Sequence, residues 1–153
     1  MAKFANPRKK FNFSIQITPE PINPFLFQKV SIPDAEIEET AHGDTNHDIK
    51  TAGRVTYSKL VCEKLMPSDE ADNYMWAWFD TCQSSLLGGG APPDQYKKII
   101  TIVELAEDGI TVLNTWLAQG VWPSSLPGHE LDRMASDNSI ENVEFSIDKL
   151  SKV

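Results

Sequence analysis

The sequence has few cysteines and few histidines. Its 153 residues include three histidines and two cysteines, Cys62 and Cys82, with no CxxC pair between them. Two such cysteines in a reducing compartment are expected to be small core hydrophobes. We therefore expect neither a disulfide framework nor a zinc site of the CxxC type.

Long apolar runs are also missing. No stretch approaches the roughly 18 apolar residues that cross a bilayer, and the start Met1-Ala2-Lys3-Phe4 lacks the apolar segment of a signal peptide. The sequence thus predicts no membrane partner and synthesis in the cytoplasm.

Basic residues are in the minority. Fourteen Lys and Arg stand against 22 Asp and Glu, which gives a formal net charge of −8. A chain of this charge repels nucleic acid phosphates, although acidity is equally common among soluble proteins in general. The one basic cluster, Arg8-Lys9-Lys10, is short and is interpreted as a flank of the first strand.

The motifs that would carry chemistry are incomplete. Asp44-Thr45-Asn46-His47-Asp48 resembles the start of a calcium loop, but Ile49 and Val55 replace the required glycine and glutamate. His42 and His47 are five apart, which does not place two imidazoles on one face of a strand. No GxSxG serine or isolated carboxylate pair occurs either. We therefore expect no catalytic residue, metal ligand or cofactor.

Alternating patterns dominate the rest of the chain. Phe11, Phe13, Ile15 and Ile17 alternate with polar residues, as in a strand with one buried face. Strand character returns over Phe25 to Ile32 and from Val55 onward. The polar segment 38–54 between them is either a long loop or a protruding hairpin.

The second half of the chain predicts one helix and further strands. Ser68 can cap a helix that runs to about Ser84, with Tyr74, Trp78 and Cys82 on one apolar stripe. The loop Gly88–Pro93 ends regular structure. A hairpin around Glu107-Asp108-Gly109, an irregular link over 121–128 and a last strand from Ile140 follow.

These elements predict a mainly β fold: a β-sandwich or small barrel of six to seven strands, with one flanking α-helix (about 68–84) and a long protruding hairpin. We expect one domain over residues 1–153. Its first ten residues form an N-terminal arm.

In the order of these segments the chain resembles the tail tube proteins of contractile-tailed bacteriophages, which are related in fold to the inner-tube protein of type VI secretion. The resemblance covers nearly the whole chain. It rests on Phe11–Ile15, on Gly53–Leu60 leading into Met75-Trp76-Ala77-Trp78-Phe79, on the hairpin Ile99–Trp116, and on Trp122-Pro123 followed by Ile140–Leu150.

The resemblance implies a virion protein of the phage tail, with six copies in a ring and rings stacked into a tube. Its implied partners are further copies of itself, the tail sheath, tape measure, baseplate and tail terminator proteins, and DNA that passes through the lumen without specific binding. The segment 38–54 is expected to reach the neighbouring ring. The expected stacking residues are His42, Asp44, Asn46, His47, Asp48, Lys50 and Arg54, and the candidates for the lumen are Glu36, Glu38, Glu141 and Glu144.

Two other hypotheses remain open. A baseplate or tube-end protein would share this fold but stop at a single ring. An enzyme on a β-sandwich is disfavoured because no nucleophile, base or metal set converges.

Overall fold

A computed structural model of the chain describes residues 9–18, 27–66, 73–83 and 88–153. The described residues form two helices, α1 (Tyr74–Cys82) and α2 (Pro93–Tyr96). They also form nine strands: β1 (Phe13–Thr18), β2 (Phe27–Ser31), β3 (Ala35–Gly43), β4 (Asp48–Tyr57), β5 (Leu60–Leu65), β6 (Lys98–Leu105), β7 (Val112–Ser125), β8 (Ile140–Ser146) and β9 (Lys149–Lys152). The predicted mainly β class is confirmed.

Seven strands form one antiparallel sheet in the order β1-β6-β7-β8-β5-β2, with β9 also beside β7. The long strand β7 belongs to both halves of this sheet, since Trp116 to Gln119 pair with β9 and Trp122 to Ser125 pair with β8. Gly120 lies between these stretches at φ +65°, a backbone conformation that glycine adopts without strain. The sheet therefore changes partners at Gly120.

The core lies between the two halves of the sheet. From the first half it takes buried side chains of β1, β6 and β7, and from the second half those of β2, β5 and β8. Ile15 and Ile17 are each 1% exposed, as the alternation in the sequence predicts. The core members are Ile15, Ile17, Phe27, Leu60, Cys62, Met75, Trp78, Ile100, Ile102, Ala118, Val121, Val143 and Phe145.

Helix α1 contributes its apolar stripe to this core. Met75 and Trp78 are buried, and the Trp78 ring centroid lies 5.4 Å from that of Phe145. The Trp78 Nε1–H donates to the Tyr96 carbonyl at 2.7 Å, so α2 holds the indole in place. The predicted cap Ser68 and the predicted end Ser84 lie outside the described residues.

Four details differ from the sequence-based expectations. The strand from Val55 ends at Tyr57 and resumes at Leu60, and the closing strand is split in two by Ile147 and Asp148. Helix α2 begins at Pro93, which suits the first helical position because that N–H has no partner in a helix anyway. The expected irregular link at Trp122-Pro123 is instead part of β7, where Pro123 precedes a register shift that tolerates proline.

Candidate assembly surfaces

Strands β3 and β4 form a hairpin whose two faces are both exposed. Every residue from Ala35 to Thr56 is exposed, and Tyr57 at its base is half-buried. Because its residues are exposed, most of the surface of this hairpin is available for a partner. A two-stranded hairpin is at best marginally stable alone in water, so such a contact would also stabilise it.

The end of the hairpin is a four-residue tip. Gly43 and Asp48 form the last cross-strand pair, and the Asp44 N–H donates to the His47 carbonyl at 2.9 Å. The Asp44 carboxylate accepts the Thr45 N–H at 2.7 Å. Local hydrogen bonds of this kind define a turn, so the polar run in the sequence is a hairpin tip and not a long loop.

A bulge near the base of the hairpin requires glycine. The pairing shifts register between Ile37 and Glu39, opposite Gly53 and Arg54. A Cβ atom on Gly53 would lie 2.8 Å from the Glu38 carbonyl oxygen. The strands can therefore approach this closely only because position 53 has no side chain.

Two apolar side chains lie opposite each other at the base of this hairpin. Ile37 pairs with Val55, and they are 60% and 49% exposed. Glu36 and Glu38 flank Ile37 along β3. Exposed apolar groups that adjoin each other mark contact surfaces more often than isolated ones do. Sequence reasoning missed this pair, although the run Glu-Ile-Glu in a strongly exposed segment is a signal for it.

The seven residues expected to make stacking contacts all lie on this hairpin and are exposed. Lys50 Nζ lies 3.6 Å from Glu39 Oε2, with both side chains largely in solvent. An ion pair of that kind stabilises a fold by at most about 1 kcal/mol. His42 is on β3, next to the last cross-strand pair, and the other six residues are on the tip and on β4, with Arg54 at the bulge. The full set is His42, Asp44, Asn46, His47, Asp48, Lys50 and Arg54.

The four carboxylates expected at the lumen lie in three different environments. Glu36 and Glu38 are on the hairpin, while Glu144 is on β8 with its Oε2 3.9 Å from Lys59 Nζ. Glu141 is 6% exposed and faces the core, where it meets Lys64. Side chains alternate along a strand, so Glu141 and Glu144 point to opposite faces of β8. Glu141 in this structure is therefore a core residue.

The main sheet ends at β1 on one side and at β2 on the other. No strand within the described ranges pairs with the outer edge of either one. Open sheet edges are pairing sites for other chains unless something covers them. These two edges form a second candidate assembly surface beside the hairpin.

Within residues 9–18, 27–66, 73–83 and 88–153, no group of three or more His, Cys, Asp or Glu side chains converges as a metal site would require. None of the helices in these ranges has the length and apolar character needed to traverse a bilayer.

The fold is that of subunits of contractile injection systems. The chain superposes on the tube-terminating cap of the anti-feeding prophage with a TM-score of 0.81 at 19% identity, over 100% of this chain and 95% of that one. It matches the sheath/tube terminator of the extracellular contractile injection system PVC with a TM-score of 0.79 at 20% identity, over 99% of each chain. The match to a chain of the PVC sheath–tube complex has a TM-score of 0.76 at 20% identity, over 96% of this chain and 91% of that one.

The sequence match is more specific than these likenesses of fold. Residues 9–151 match the model of the family described as T4-like virus tail tube protein gp19, and the chain belongs to that family. The resemblance drawn from the sequence is therefore confirmed. A type six secretion system protein also shares the fold, with a TM-score of 0.55 at 11% identity, over 92% of this chain and 81% of that one. A comparison with curated protein sequences gave no match.

Proposed function

We propose that the chain is a protomer of a tail tube, in which hexameric rings stack into a hollow conduit. One observation carries this proposal: a hairpin whose residues from Ala35 to Thr56 are all exposed presents an apolar pair, Ile37 and Val55, to solvent. Membership of the tail tube family supports it. The task assigned to the chain is geometric, with no reaction to catalyse.

In this proposal, contacts between rings are made by the outer half of the hairpin. Its tip and the adjoining parts of β3 and β4 carry six of the seven residues named above, from His42 to Lys50, while Arg54 lies at the bulge near the base. A contact between unlike surfaces of identical copies repeats without closing, so it produces a filament. The edges of β1 and β2 are covered by neighbouring copies, which removes two sites of uncontrolled pairing.

The lumen is assigned to the face of the sheet that carries Glu144. An acidic inner wall keeps DNA from binding as it passes, because no phosphate is neutralised and no counterions are released. Glu36 and Glu38, which lie on the hairpin, are assigned to contacts between copies. The other proposed partners are the sheath, tape measure, baseplate and tail terminator proteins, in a virion tail whose subunits are made in the host cytoplasm.

A second candidate is a tube-end protein that forms a single ring. The similarity to a tube-terminating cap and to a sheath/tube terminator, at TM-scores of 0.81 and 0.79, favours it. A terminator of this kind would use the same ring contacts but would offer one stacking surface instead of two.

Electron microscopy of the purified full chain in negative stain distinguishes the candidates. We expect hollow rods for a tube protomer and separate rings for a tube-end protein. Monomers alone at high concentration, with neither rods nor rings, would contradict both.

A variant lacking the hairpin tip tests the stacking role directly. Residues 42–49 are replaced by Asn-Gly, a two-residue turn that leaves Ala41 and Lys50 as the closing pair. We expect this variant to keep its circular dichroism spectrum and its ability to form rings but to lose rods. Rods of unchanged length and abundance would show that the outer hairpin has no part in stacking.

A further inference from the structure

We propose that the groove between β1 and β2 receives the base of the hairpin from a second copy of the chain, with Ile37 on the groove's floor and Glu36 and Glu38 against lysines at its rim. This inference rests on the proposed function, since it names the surface to which the hairpin binds. It also assigns an occupant to the two open edges of the sheet.

The floor of the groove is apolar. The groove encloses about 820 Å³ where the start of β1 faces β2. Phe27 and Ile102 at its bottom are 5% and 2% exposed, and Phe13, Val30 and Ile32 are half-buried beside them. An apolar side chain that enters this groove from solvent therefore extends the core of the protein that receives it.

The rim of the groove is basic. Lys9, Lys10 and Lys29 line it and are exposed, although the chain as a whole carries a net charge of −8. The carboxylate of Glu104 also faces the groove, but it accepts a hydrogen bond from Trp116 Nε1 at 3.0 Å. Three ammonium groups around an apolar floor select an occupant that is apolar at its centre and acidic at its flanks.

The base of the hairpin has that chemistry. Along β3, which contains no Lys or Arg, Glu36 and Glu38 flank Ile37, and the cation at the base of the hairpin, Arg54, is on β4. Because strand side chains alternate, Ile37 can face the floor while both glutamates point toward the mouth of the groove. Val55 is on the same side of the hairpin as Ile37 and adds to the apolar surface that becomes buried. This segment therefore matches both the floor and the rim.

The backbone adds a second reason for this match. The start of β1 and most of β2 line the groove, and the outer edges of these strands have no strand partner within the described ranges. A strand that enters between them can bond to an open edge through its main chain. The side chains then give the contact its specificity, because Ile37 fits the apolar floor and Glu36 and Glu38 fit the basic rim.

A disulfide between copies tests the contact itself. Ile37→Cys is placed in one chain and Gln28→Cys in a second chain of different mass, both with Cys82→Ser. The two introduced cysteines can then be joined only between copies, and the mass of the mixed dimer identifies that product. Gln28 lines the groove and is exposed. We expect a mixed dimer on mild oxidation of assembled protein, because a disulfide forms only when the two Cα atoms come within about 7 Å. Ser31→Cys, exposed on the same strand but not lining the groove, is the matched control and should give at least about tenfold less product.

Charge reversal tests the rim. Lys10→Glu with Lys29→Glu should raise the concentration needed for assembly about tenfold, because like charges then face each other. Adding Glu36→Lys and Glu38→Lys to the same chain should restore assembly to within about threefold of the wild type. Arg133→Glu with Lys149→Glu, a change of equal charge at two exposed residues outside the groove, should leave that concentration unchanged.

The outcomes separate this inference from the proposed function. If the wild type forms rods and loss of the tip abolishes them, but no mixed disulfide forms and the reversed charges do not rescue each other, the groove assignment is wrong and the tube stands. If the wild type forms neither rods nor rings, the proposed function is wrong, and the groove inference, which rests on it, is overturned with it. If a thiol reagent labels Gln28→Cys equally slowly before and after assembly, the chain's own residues cover the groove and the inference is overturned.

Discussion

Lys64 Nζ lies 3.6 Å from Glu141 Oε2 in the core of the protein, and the two side chains are 1% and 7% exposed. They are direct partners in the register of β5 and β8. Burial lowers the pKa of the Lys64 ammonium because it is removed from water, and the charge of Glu141 opposes that change. The pair thus occupies two core positions at which apolar residues would be expected.

Removing one member of this pair should be costly. Glu141→Ala leaves a buried ammonium without its carboxylate, and we expect the free energy of unfolding to fall by about 3–5 kcal/mol. Lys64→Met combined with Glu141→Leu should recover most of that loss, because no charge is then buried. Urea denaturation of the tip-replaced variant measures these values without a contribution from stacking.

Glu144→Ala is the matched control for Glu141→Ala. Glu144 is on the same strand but on its outer face, with its carboxylate 3.9 Å from the exposed Lys59. Removing this carboxylate should lower the free energy of unfolding by no more than about 1 kcal/mol. Equal effects of the two substitutions would mean that burial of the Lys64–Glu141 pair contributes nothing.

The two tryptophans of α1 should differ sharply in their contributions to stability. Trp78 is 3% exposed and packs on Phe145, whereas Trp76 is 52% exposed. We expect Trp78→Ala to lower the free energy of unfolding by about 3–5 kcal/mol. Trp76→Ala should change it by about 0.5 kcal/mol or less. Thermal unfolding followed by circular dichroism compares them, and similar losses would contradict the assigned orientation of the helix.

The sequence predicted those elements whose pattern is set by a single buried face. The alternation around Ile15 and Ile17 and the helical stripe through Trp78 are examples, because each pattern follows from one local periodicity. The turn at Gly109 was predicted as well, and Gly109 has a φ of +72° there. Local physical chemistry was sufficient in these segments.

Other features depend on contacts that local patterns do not reveal. Proline usually indicates the end of a strand, yet Pro123 is buried within β7. It is the partner of Phe145 in β8, and the pairing of the two strands continues beyond it to Ser125. Glu141 could have been placed from the sequence, since it shares a face of β8 with Val143 and Phe145, but its charge argued for solvent. The groove between β1 and β2 joins residues far apart in the chain, and only the folded sheet brings them together.

The two cysteines should respond differently to thiol reagents. Burial raises the pKa of Cys62 from 9.0 to about 12, so its thiol stays neutral in the native protein at pH 8–10. Cys82 is only partly buried. We expect iodoacetamide to label Cys82 in native protein while Cys62 reacts only after denaturation. Rapid labelling of Cys62 under native conditions would contradict its burial.

Stability should also depend on pH through Cys62. Above pH 9 the unfolded chain loses the Cys62 proton, whereas the native chain retains it until about pH 12. The unfolded state then binds fewer protons, so the free energy of unfolding falls as pH rises through 9, by up to about 1.4 kcal/mol per pH unit. Denaturation curves between pH 8 and 11 measure this slope. It should persist in Cys82→Ser and be reduced in Cys62→Ala.

Two glycines of the hairpin provide a test that separates assembly from folding. A methyl group on Gly53 would lie 2.8 Å from the Glu38 carbonyl oxygen, whereas on Gly43 the nearest atom, Asp48 Oδ1, is 4.0 Å away. Gly53→Ala should therefore distort the bulge beside Ile37, and Gly43→Ala should not. Because both residues are exposed and outside the core, neither change should alter the stability of the main sheet by more than about 0.5 kcal/mol.

The readout is the concentration at which rods form, measured by light scattering and electron microscopy. Gly53→Ala should raise that concentration at least about tenfold, because displacing Ile37 and Val55 removes the apolar surface from its position. Gly43→Ala should match the wild type to within about twofold, and both variants should unfold at the wild-type temperature. Normal rods from Gly53→Ala would show that the geometry of the bulge does not matter for contact between copies, and a large loss of thermal stability would show that the hairpin is coupled to the core after all.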